Sequence, residues 1–329
     1  MASGGARGGS LLEYVVMAVT AGLALVFALT VPGFATLGNL AVAATNSAAL
    51  LILACGMGVV VISRGLDLSQ VAAMVAGAAT FGILIGAGLP GAAALGLAVL
   101  AMVGVGLLNG WLIAYAEIPA MLATLATAMV ITGAFRFGLM QGEFLLLLPA
   151  TDPAVRLLSA DLVPGLRVPV ALAAAVLLVT WAVLRFTVPG RVTYAMGDNF
   201  AAARLSGLPV RTTALLIYVF AALTALVAGL ISAAASGTVD FRIVTGGSLL
   251  FEVILVVVLG GIPLRGGRGG VRNILVGLAL VAVLRNGMTL MNLTTQTQDM
   301  LKGVVLLLAI VTDNYLNPRD TETDTVGDL

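Results

Sequence analysis

The sequence predicts an all-α polytopic membrane protein with about ten transmembrane helices and both termini on the cytoplasmic side. Of its 329 residues, 60% are hydrophobic and only 9% are charged, whereas soluble domains carry about 25% charged residues. Apolar runs of the length that a bilayer requires, about 20 residues, recur along the whole chain. Basic residues collect in alternate connections between these runs, which sets the orientation.

The apolar runs define the helices one after another. They are rich in Gly, Ala, Val and Leu, a composition that lets helices approach closely in a membrane. The first run outlasts the apolar core of a signal peptide, about 7–15 residues, and is therefore interpreted as a span. The spans are predicted near residues 14–32, 39–63, 68–86, 91–115, 119–139, 168–186, 213–235, 247–263, 272–290 and 299–316. Residues 1–316 then form one transmembrane domain, and residues 317–329 form a polar cytoplasmic tail.

The orientation follows from the arginines of the short connections, because basic residues are retained on the cytoplasmic side. A cytoplasmic N-terminus places ten arginines inside and four outside. The inner set is Arg7, Arg64, Arg185, Arg191, Arg204, Arg211, Arg265, Arg268, Arg272 and Arg319, and the outer set is Arg136, Arg156, Arg167 and Arg242. The longest outer segment, residues 139–167, is expected to be a loop with a short surface helix; an interfacial or partly re-entrant piece at "EFLLLLP" is the alternative.

The composition also excludes several kinds of chemistry. Histidine is absent and Cys55 is the single cysteine, which argues against a metal site, imidazole catalysis and an intrachain disulfide. The single lysine, Lys302, is followed by Gly303, so the chain lacks the phosphate-binding loop of ATPases, G-x-x-x-x-G-K-[ST]. No catalytic residue and no cofactor are predicted, and a net charge of +1 gives no reason to expect nucleic acid as a partner.

Polar residues inside the spans predict a path for a neutral solute. Carriers coupled to protons or sodium usually place carboxylates near the bilayer midplane, and Glu252 is the only acidic residue well inside a predicted span. We expect Glu252 near the outer end of its span, where it lines the path or lies within reach of an external partner. The candidate path residues are Asn46, Ser47, Asn109, Thr124, Thr127 and Glu252.

A polar stretch, "GDNFAAARLSGLPVR" from Gly197 to Arg211, interrupts the apolar runs between spans six and seven. Asp198 or Asn199 suits a helix N-cap, "FAAARLS" favours helix, and Gly207 suits the position after the helix end. The sequence therefore predicts a cytoplasmic helix of about two turns. By spacing alone, a plain connector on the membrane surface and a docking helix for a cytosolic partner are equally good interpretations.

Five motifs in this chain resemble the ribose-type monosaccharide permeases of bacterial ABC importers. "PGRVTYAMGDNFAAARLSGLPVR" resembles the cytoplasmic loop of that family, and "ACGMGVVVISRGLDLS" resembles its G-M-x-x-V-I-I-S-G-G-I-D-L-S signature. "LLNGWLIAYAEIPAMLATLAT", "VVVLGGIPLRGGRGGV" and "MLKGVVLLLAIVTD" are similar to three further stretches. The matches run in family order from about residue 54 to residue 313, nearly the whole chain.

The resemblance implies a subunit of the bacterial cytoplasmic membrane that carries a monosaccharide. Its implied partners are a second permease copy, identical or different, a cytosolic subunit that binds ATP and Mg²⁺, and a periplasmic sugar-binding protein. In the family, the helix around "AARLSG" sits in a cleft of the ATPase. If the same helix contacts the ATPase here, the resemblance implies these ATPase-coupling residues in this sequence: Asp198, Ala202, Arg204, Leu205, Ser206 and Gly207.

The chain departs from the family pattern at several positions. Arg64 stands where the family usually has glycine, and Glu117 occupies a position that is often basic. These departures leave open a branched-chain amino acid or nucleoside permease, and an autonomous secondary carrier remains an alternative of a different class. We interpret Arg64, Asp67 and Ser69 as a structural motif, with Asp67 as an N-cap of span three.

Overall fold

A computed structural model describes residues 5–163 and 166–316. For residues 5–12, 309–310 and 312–316 it describes the backbone alone. The predicted tail at residues 317–329 lies outside the described residues. The long helices are α1 (Gly5–Thr30), α2 (Leu37–Ile62), α3 (Gln70–Gly86), α4 (Gly91–Ala114), α5 (Ala120–Gly138), α7 (Val168–Phe186), α10 (Val210–Ser236), α13 (Val271–Leu290) and α14 (Thr295–Leu316). The shorter elements are β1 (Leu145–Leu147), α6 (Pro153–Ser159), β2 (Asp161–Val163), β3 (Leu166–Arg167), α8 (Val188–Asp198), α9 (Phe200–Leu205), β4 (Thr238–Asp240), α11 (Arg242–Gly246) and α12 (Ser248–Leu259).

Each of the ten predicted spans coincides with a helix, although they differ in length. Among the described residues, seven helices are long and apolar enough to cross a membrane: Glu13–Thr30, Leu37–Ile62, Gly91–Ala114, Ala120–Gly138, Val168–Phe186, Val210–Ser236 and Val271–Leu290. Two apolar helices at predicted spans, α3 and α12, are shorter. At the eighth predicted span, the helix ends at Leu259 and a glycine turn follows. The chain is thus a polytopic membrane protein.

Helices α2, α3, α4 and α10 form the centre of the molecule. The second half of α2 is enclosed: Ile52, Leu53 and Cys55 have no exposed surface. Glycines let these helices touch along their backbones. A methyl group at Gly106 of α4 would collide with the backbone of α10 at Val219. This small-residue packing is what the Gly- and Ala-rich spans predicted.

One end of the molecule, which we call the strand end, carries the four strands that the described residues form. β1 pairs antiparallel with β4, Leu146 facing Val239, and Leu148 and Leu146 pack over Gly82 of α3. The predicted surface helix is present as α6, which begins at the N-cap Asp152. The expectation of an ordinary loop was incomplete, because its "LLL" run finds a partner strand from a distant part of the chain.

The opposite end, which we call the α9 end, carries the connection between α7 and α10. The sequence predicted one helix here, but there are two, α8 and α9, because Asn199 leaves the helical conformation and begins a new helix. Asp198 is the last residue of α8 and Asn199 is the N-cap of α9, its side chain accepting a hydrogen bond from the Ala202 N–H at 2.9 Å. The predicted helix of about two turns is therefore present as α9, and α8 before it was not predicted.

Candidate functional site

Helix α9 projects from the α9 end with most of its side chains exposed. Leu205 is 88% exposed and Phe200 is 42% exposed, whereas Ala203 is the buried residue that anchors the helix. Gly207 has φ +73°, and the N–H groups of Gly207 and Leu208 donate to the carbonyls of Arg204 and Ala203. This hydrogen-bonded helix end explains the glycine, since φ in this region favours it.

All six predicted coupling residues lie on this exposed surface: Asp198, Ala202, Arg204, Leu205, Ser206 and Gly207. They occur within ten consecutive residues, so the structure brings them together by local geometry. The α9 surface combines the exposed apolar side chains of Leu205 and Phe200 with the cation of Arg204, which is a suitable chemistry for docking on a protein partner.

The base of α9 rests on two other connections of the same end. Gly197 lies against the carbonyl of Ile62 at the end of α2 and against Gly267, leaving no room for a side chain. Gly267 N–H donates to the same Ile62 carbonyl at 2.9 Å, and the Tyr194 hydroxyl donates to the Gly269 carbonyl at 2.9 Å. Burial raises the pKa of Tyr194, which keeps it a donor. The "RGGRGG" turn is thus a support for α8, as its glycines at positive φ allow close approach.

A second support comes from the connection between α4 and α5. Glu117 Oε1 lies 3.4 Å from Arg204 Nη1 and 3.2 Å from Arg211 Nη2, and the Arg211 guanidinium lies 5.3 Å from the centre of the Tyr115 ring. Glu117 has φ +54°. Glu117 stands out in the sequence as a departure from the family pattern, but these pairs could not be predicted, because the partners are 87 and 94 residues away.

A buried polar network lies just inside the same end and joins three helices. Asp67 Oδ1 accepts hydrogen bonds from the N–H (2.9 Å) and the hydroxyl (2.5 Å) of Ser69. Ser69 Oγ accepts from Asn109 Nδ2 at 2.8 Å, and Thr127 Oγ1 donates to Asn109 Oδ1 at 2.6 Å. Thr124 Oγ1 accepts from the Leu68 N–H at 3.1 Å. Three of the predicted path residues, Asn109, Thr124 and Thr127, therefore bind other parts of the chain in this conformation.

The structural motif predicted at Arg64, Asp67 and Ser69 needs one correction. Ser69, not Asp67, occupies the N-cap position of α3, and Asp67 instead caps the Ser69 N–H. Burial raises the Asp67 pKa from its ordinary 3.8 to about 6, and the hydrogen bonds from Ser69 lower it by a smaller amount. Arg64 is exposed with φ +72°, a conformation that explains why glycine is usual there.

Glu252 lies near the strand end, where it is buried. It is 5% exposed, with Oε2 3.5 Å from Lys302 Nζ and Oε1 3.7 Å from Arg285 Nη1. Lys302 Nζ also lies 2.9 Å from Asp299 Oδ1. The carboxylate thus ties α12 to α13 and α14. Neither cation was predicted as a partner of Glu252, although two basic residues in the last two spans, Arg285 and Lys302, were a signal.

The two remaining path candidates lie side by side on α2 and differ in burial. Ser47 is 9% exposed, whereas Asn46 is exposed on the surface of the single chain. Elsewhere, the described residues contain no group of three His, Cys, Asp or Glu side chains that could hold a metal ion.

Comparisons with known proteins agree along almost the whole chain. A family profile described as "branched-chain amino acid transport system / permease component" matches residues 39–310. The chain is 32% identical over 303 residues to the probable ABC transporter permease protein y4mJ of Sinorhizobium fredii, covering 90% of this chain and 87% of that one. It is 30% identical over 291 residues to the ribose import permease protein RbsC of Escherichia coli, covering 86% and 88%. It is 31% identical over 310 residues to the L-arabinose transport system permease protein AraH of Escherichia coli, covering 92% and 90%. No solved structure is a significant match.

Proposed function

Because this chain belongs to the family described as branched-chain amino acid transport system / permease component, we propose that it is the membrane-spanning permease subunit of an ABC importer for a monosaccharide. It is a multi-pass protein of the cytoplasmic membrane and a transporter subunit rather than an enzyme. The monosaccharide is inferred from relatives named for ribose and L-arabinose import. ABC permeases work with an ATPase and a binding protein, so ATP and Mg²⁺ belong to a partner and this chain holds no cofactor.

The observation that carries the proposal is the construction of α9. A helix with an 88% exposed leucine at its tip is held by Gly197, Gly267 and Glu117, which belong to three separate connections. A short helix anchored in this way transmits a push to α8 and α10 as a rigid body. We infer that α9 is the coupling helix that docks on the cytosolic ATPase.

The arrangement in the membrane follows from this assignment. The α9 end is then cytoplasmic, which agrees with the distribution of arginines, and the strand end faces the periplasmic binding protein. Ten spans with both termini inside complete the topology, with α3, α12 and α14 as the spans beyond the seven long helices.

The solute path is proposed to lie near Glu252 rather than through the network of Asn109, Thr124 and Thr127. The network residues already hydrogen-bond to each other and to the α2–α3 connection. Glu252 Oε1, in contrast, makes no hydrogen bond, and the neighbouring Arg285 side chain is 37% exposed. A sugar hydroxyl would supply the missing donor.

The proposal is tested by isolating the complex from native membranes in mild detergent. Leu205→Asp and Arg204→Glu change exposed side chains on α9, and Arg156→Glu is the matched charge reversal on α6 at the opposite end. We expect a subunit with a phosphate-binding loop to copurify with wild type and Arg156→Glu, and to be reduced at least about tenfold with both α9 variants, a loss of about 1.4 kcal/mol or more. Equal recovery with all variants would contradict a coupling role for α9.

A second measurement addresses the solute. Uptake of D-ribose and L-arabinose is followed in liposomes that contain the permease, its ATPase and the binding protein, with L-leucine as the competitor. ATP-dependent sugar uptake that leucine leaves unchanged supports the monosaccharide assignment. Inhibition by leucine would favour the branched-chain amino acid alternative, and uptake without ATP would favour a secondary carrier.

A further inference from the structure

The first half of α2 is exposed although its second half lies in the core. Gly38, Val42 and Asn46 are all exposed, and they follow one another at intervals of four residues on one face of the helix. No atom of another residue approaches the position of a Cβ at Gly38. Farther along the same helix, Leu50 is only 2% exposed. An open face of about two turns therefore leads down to Asn46.

Asn46 lies well inside the membrane. Helix α2 has 26 residues, which corresponds to about 39 Å at about 1.5 Å per residue. A hydrocarbon core of about 30 Å leaves roughly 4–5 Å of helix outside at each end. Asn46 is the tenth residue, about 13 Å from the first, and so it is roughly 9 Å deep in the hydrocarbon.

The Asn46 carboxamide has no hydrogen-bond partner in the described part of the chain. Two other polar side chains in the first half of α2 are satisfied: the Asn39 side chain donates to the Phe34 carbonyl at 2.8 Å, and Thr45 Oγ1 donates to the Ala41 carbonyl at 2.9 Å. Lipid tails offer neither donors nor acceptors, and an unpaired polar group costs several kcal/mol there. Lipid is therefore a poor neighbour for this face.

We propose that the open face of α2, formed by Gly38, Val42 and Asn46, is an interface with a second copy of this chain. A carboxamide has donors and an acceptor, so two Asn46 side chains related by a two-fold axis can each donate to the other. Gly38 and its exposed neighbour Ala41 keep the helices free to approach closely. The inference rests on the proposed function in that the permease acts as a pair, but it names the surface that joins the two copies.

The experiment is disulfide cross-linking of the full-length chain in native membranes. Cys55, the only cysteine, is buried and is replaced first by alanine, giving a background without thiols. Asn46→Cys is then compared with Leu100→Cys. Leu100 is the tenth residue of α4, is 66% exposed, and lies at a matched depth on another face. Cysteines form a disulfide only when their Cα atoms come within about 7 Å.

The expected result is a cross-linked dimer with Asn46→Cys under mild oxidation and none with Leu100→Cys. A dimer with both variants would indicate random collision and overturn the proposal. Asn46→Cys that stays monomeric but reacts with a membrane-impermeant thiol reagent would place Asn46 in a water-filled path. Asn46→Cys that does neither would place it against lipid or a different protein, which also overturns the proposal.

A second measurement tests the hydrogen bonds of the pair. Asn46→Leu removes them without opening the face, and interhelical hydrogen bonds in membranes contribute about 0.6–1.7 kcal/mol. We expect the dimer dissociation constant in detergent to rise roughly 3- to 20-fold, with Asn46→Gln restoring most of the affinity. An unchanged constant for Asn46→Leu would contradict the amide pairing. Neither measurement needs an ATPase or a sugar, so a dimer that fails to import sugar would overturn the proposed function and leave the interface intact.

Discussion

Asp67 is a carboxyl group enclosed where α2 passes into α3. It is 2% exposed, and the Tyr218 hydroxyl beside it has no hydrogen-bond partner. Its Oδ1 atom holds Ser69, and Ser69 in turn holds Asn109 on α4. The side chain therefore fixes the start of α3 against α4, at the expense of burying an ionisable group.

The raised pKa of Asp67 makes its contribution depend on pH. The group titrates near 3.8 in an unfolded chain and near 6 in the folded protein. Its contribution to the free energy of unfolding is therefore fully present below pH 3.8. That contribution falls by about 1.4 kcal/mol per pH unit and is lost as pH rises through 6. Asp67→Asn keeps an acceptor for Ser69 and cannot ionise. We expect it to raise the thermal unfolding midpoint more at pH 7 than at pH 5, measured by size-exclusion chromatography of heated, detergent-purified protein.

Asp67→Ala is the control for this prediction, because it removes the acceptor as well as the charge. It should lower the yield of folded protein, with little change in uptake per folded molecule. A normal yield with uptake abolished would assign Asp67 to transport. An equal effect of Asp67→Asn at both pH values would mean that the folded carboxyl is already ionised at pH 5, which contradicts a raised Asp67 pKa.

At the scale of elements, contact between α4 and α10 depends on where the glycines stand. A methyl group at Gly106 would meet the backbone of Tyr218 and Val219, whereas one at Gly104, two residues earlier, would meet nothing. Gly104 faces outward and Gly106 is buried. The same residue type thus has two different roles on one helix.

Alanine at these two positions should have opposite effects. Gly106→Ala forces the helices apart and is expected to destabilise the protein by about 1–3 kcal/mol. Gly104→Ala gains up to about 1 kcal/mol of helix propensity and is expected to be neutral or stabilising. Unfolding midpoints of the two variants in the same detergent provide the measurement, and equal midpoints would be incompatible with backbone contact at Gly106.

At the scale of the whole molecule, α14 is joined to the rest partly by charge. Met300, Val304, Leu307 and Leu308 of α14 are at least half exposed, while Lys302 turns inward to Glu252 of α12. Charged groups inside a membrane are expensive and persist when they pair with one another. The ion cluster of Glu252, Lys302 and Arg285 therefore holds α13 and α14 against α12.

Removing one charge of this cluster should destabilise the folded protein more than removing two. Lys302→Met leaves Glu252 without its lysine, and breaking a buried pair costs about 3–5 kcal/mol, so we expect poor folding of the single variant. Glu252→Gln together with Lys302→Met removes both charges and should recover part of the loss. A double-mutant cycle on unfolding midpoints gives the coupling energy. A coupling energy near zero would show that the two charges act independently.

The sequence determined the class of the protein and the position of its helices. Hydrophobicity over about 20 residues is a local property that decides whether a segment enters a membrane, so each predicted span coincides with a helix. The helix that carries the predicted coupling residues was also predictable from the sequence, because Asn199 and Gly207 mark the two ends of α9 by capping rules.

The tertiary structure alone decided which groups meet. The pairing of "LLL" with β4, the pairs of Glu117 with Arg204 and Arg211, and the cluster around Glu252 join residues far apart in the chain. Contacts of this kind depend on how the helices pack, and no local pattern of residues encodes them. The same holds for burial: Asn46 and Asn109 look alike in sequence, but packing encloses Asn109 with two partners and leaves Asn46 exposed on the surface of the single chain.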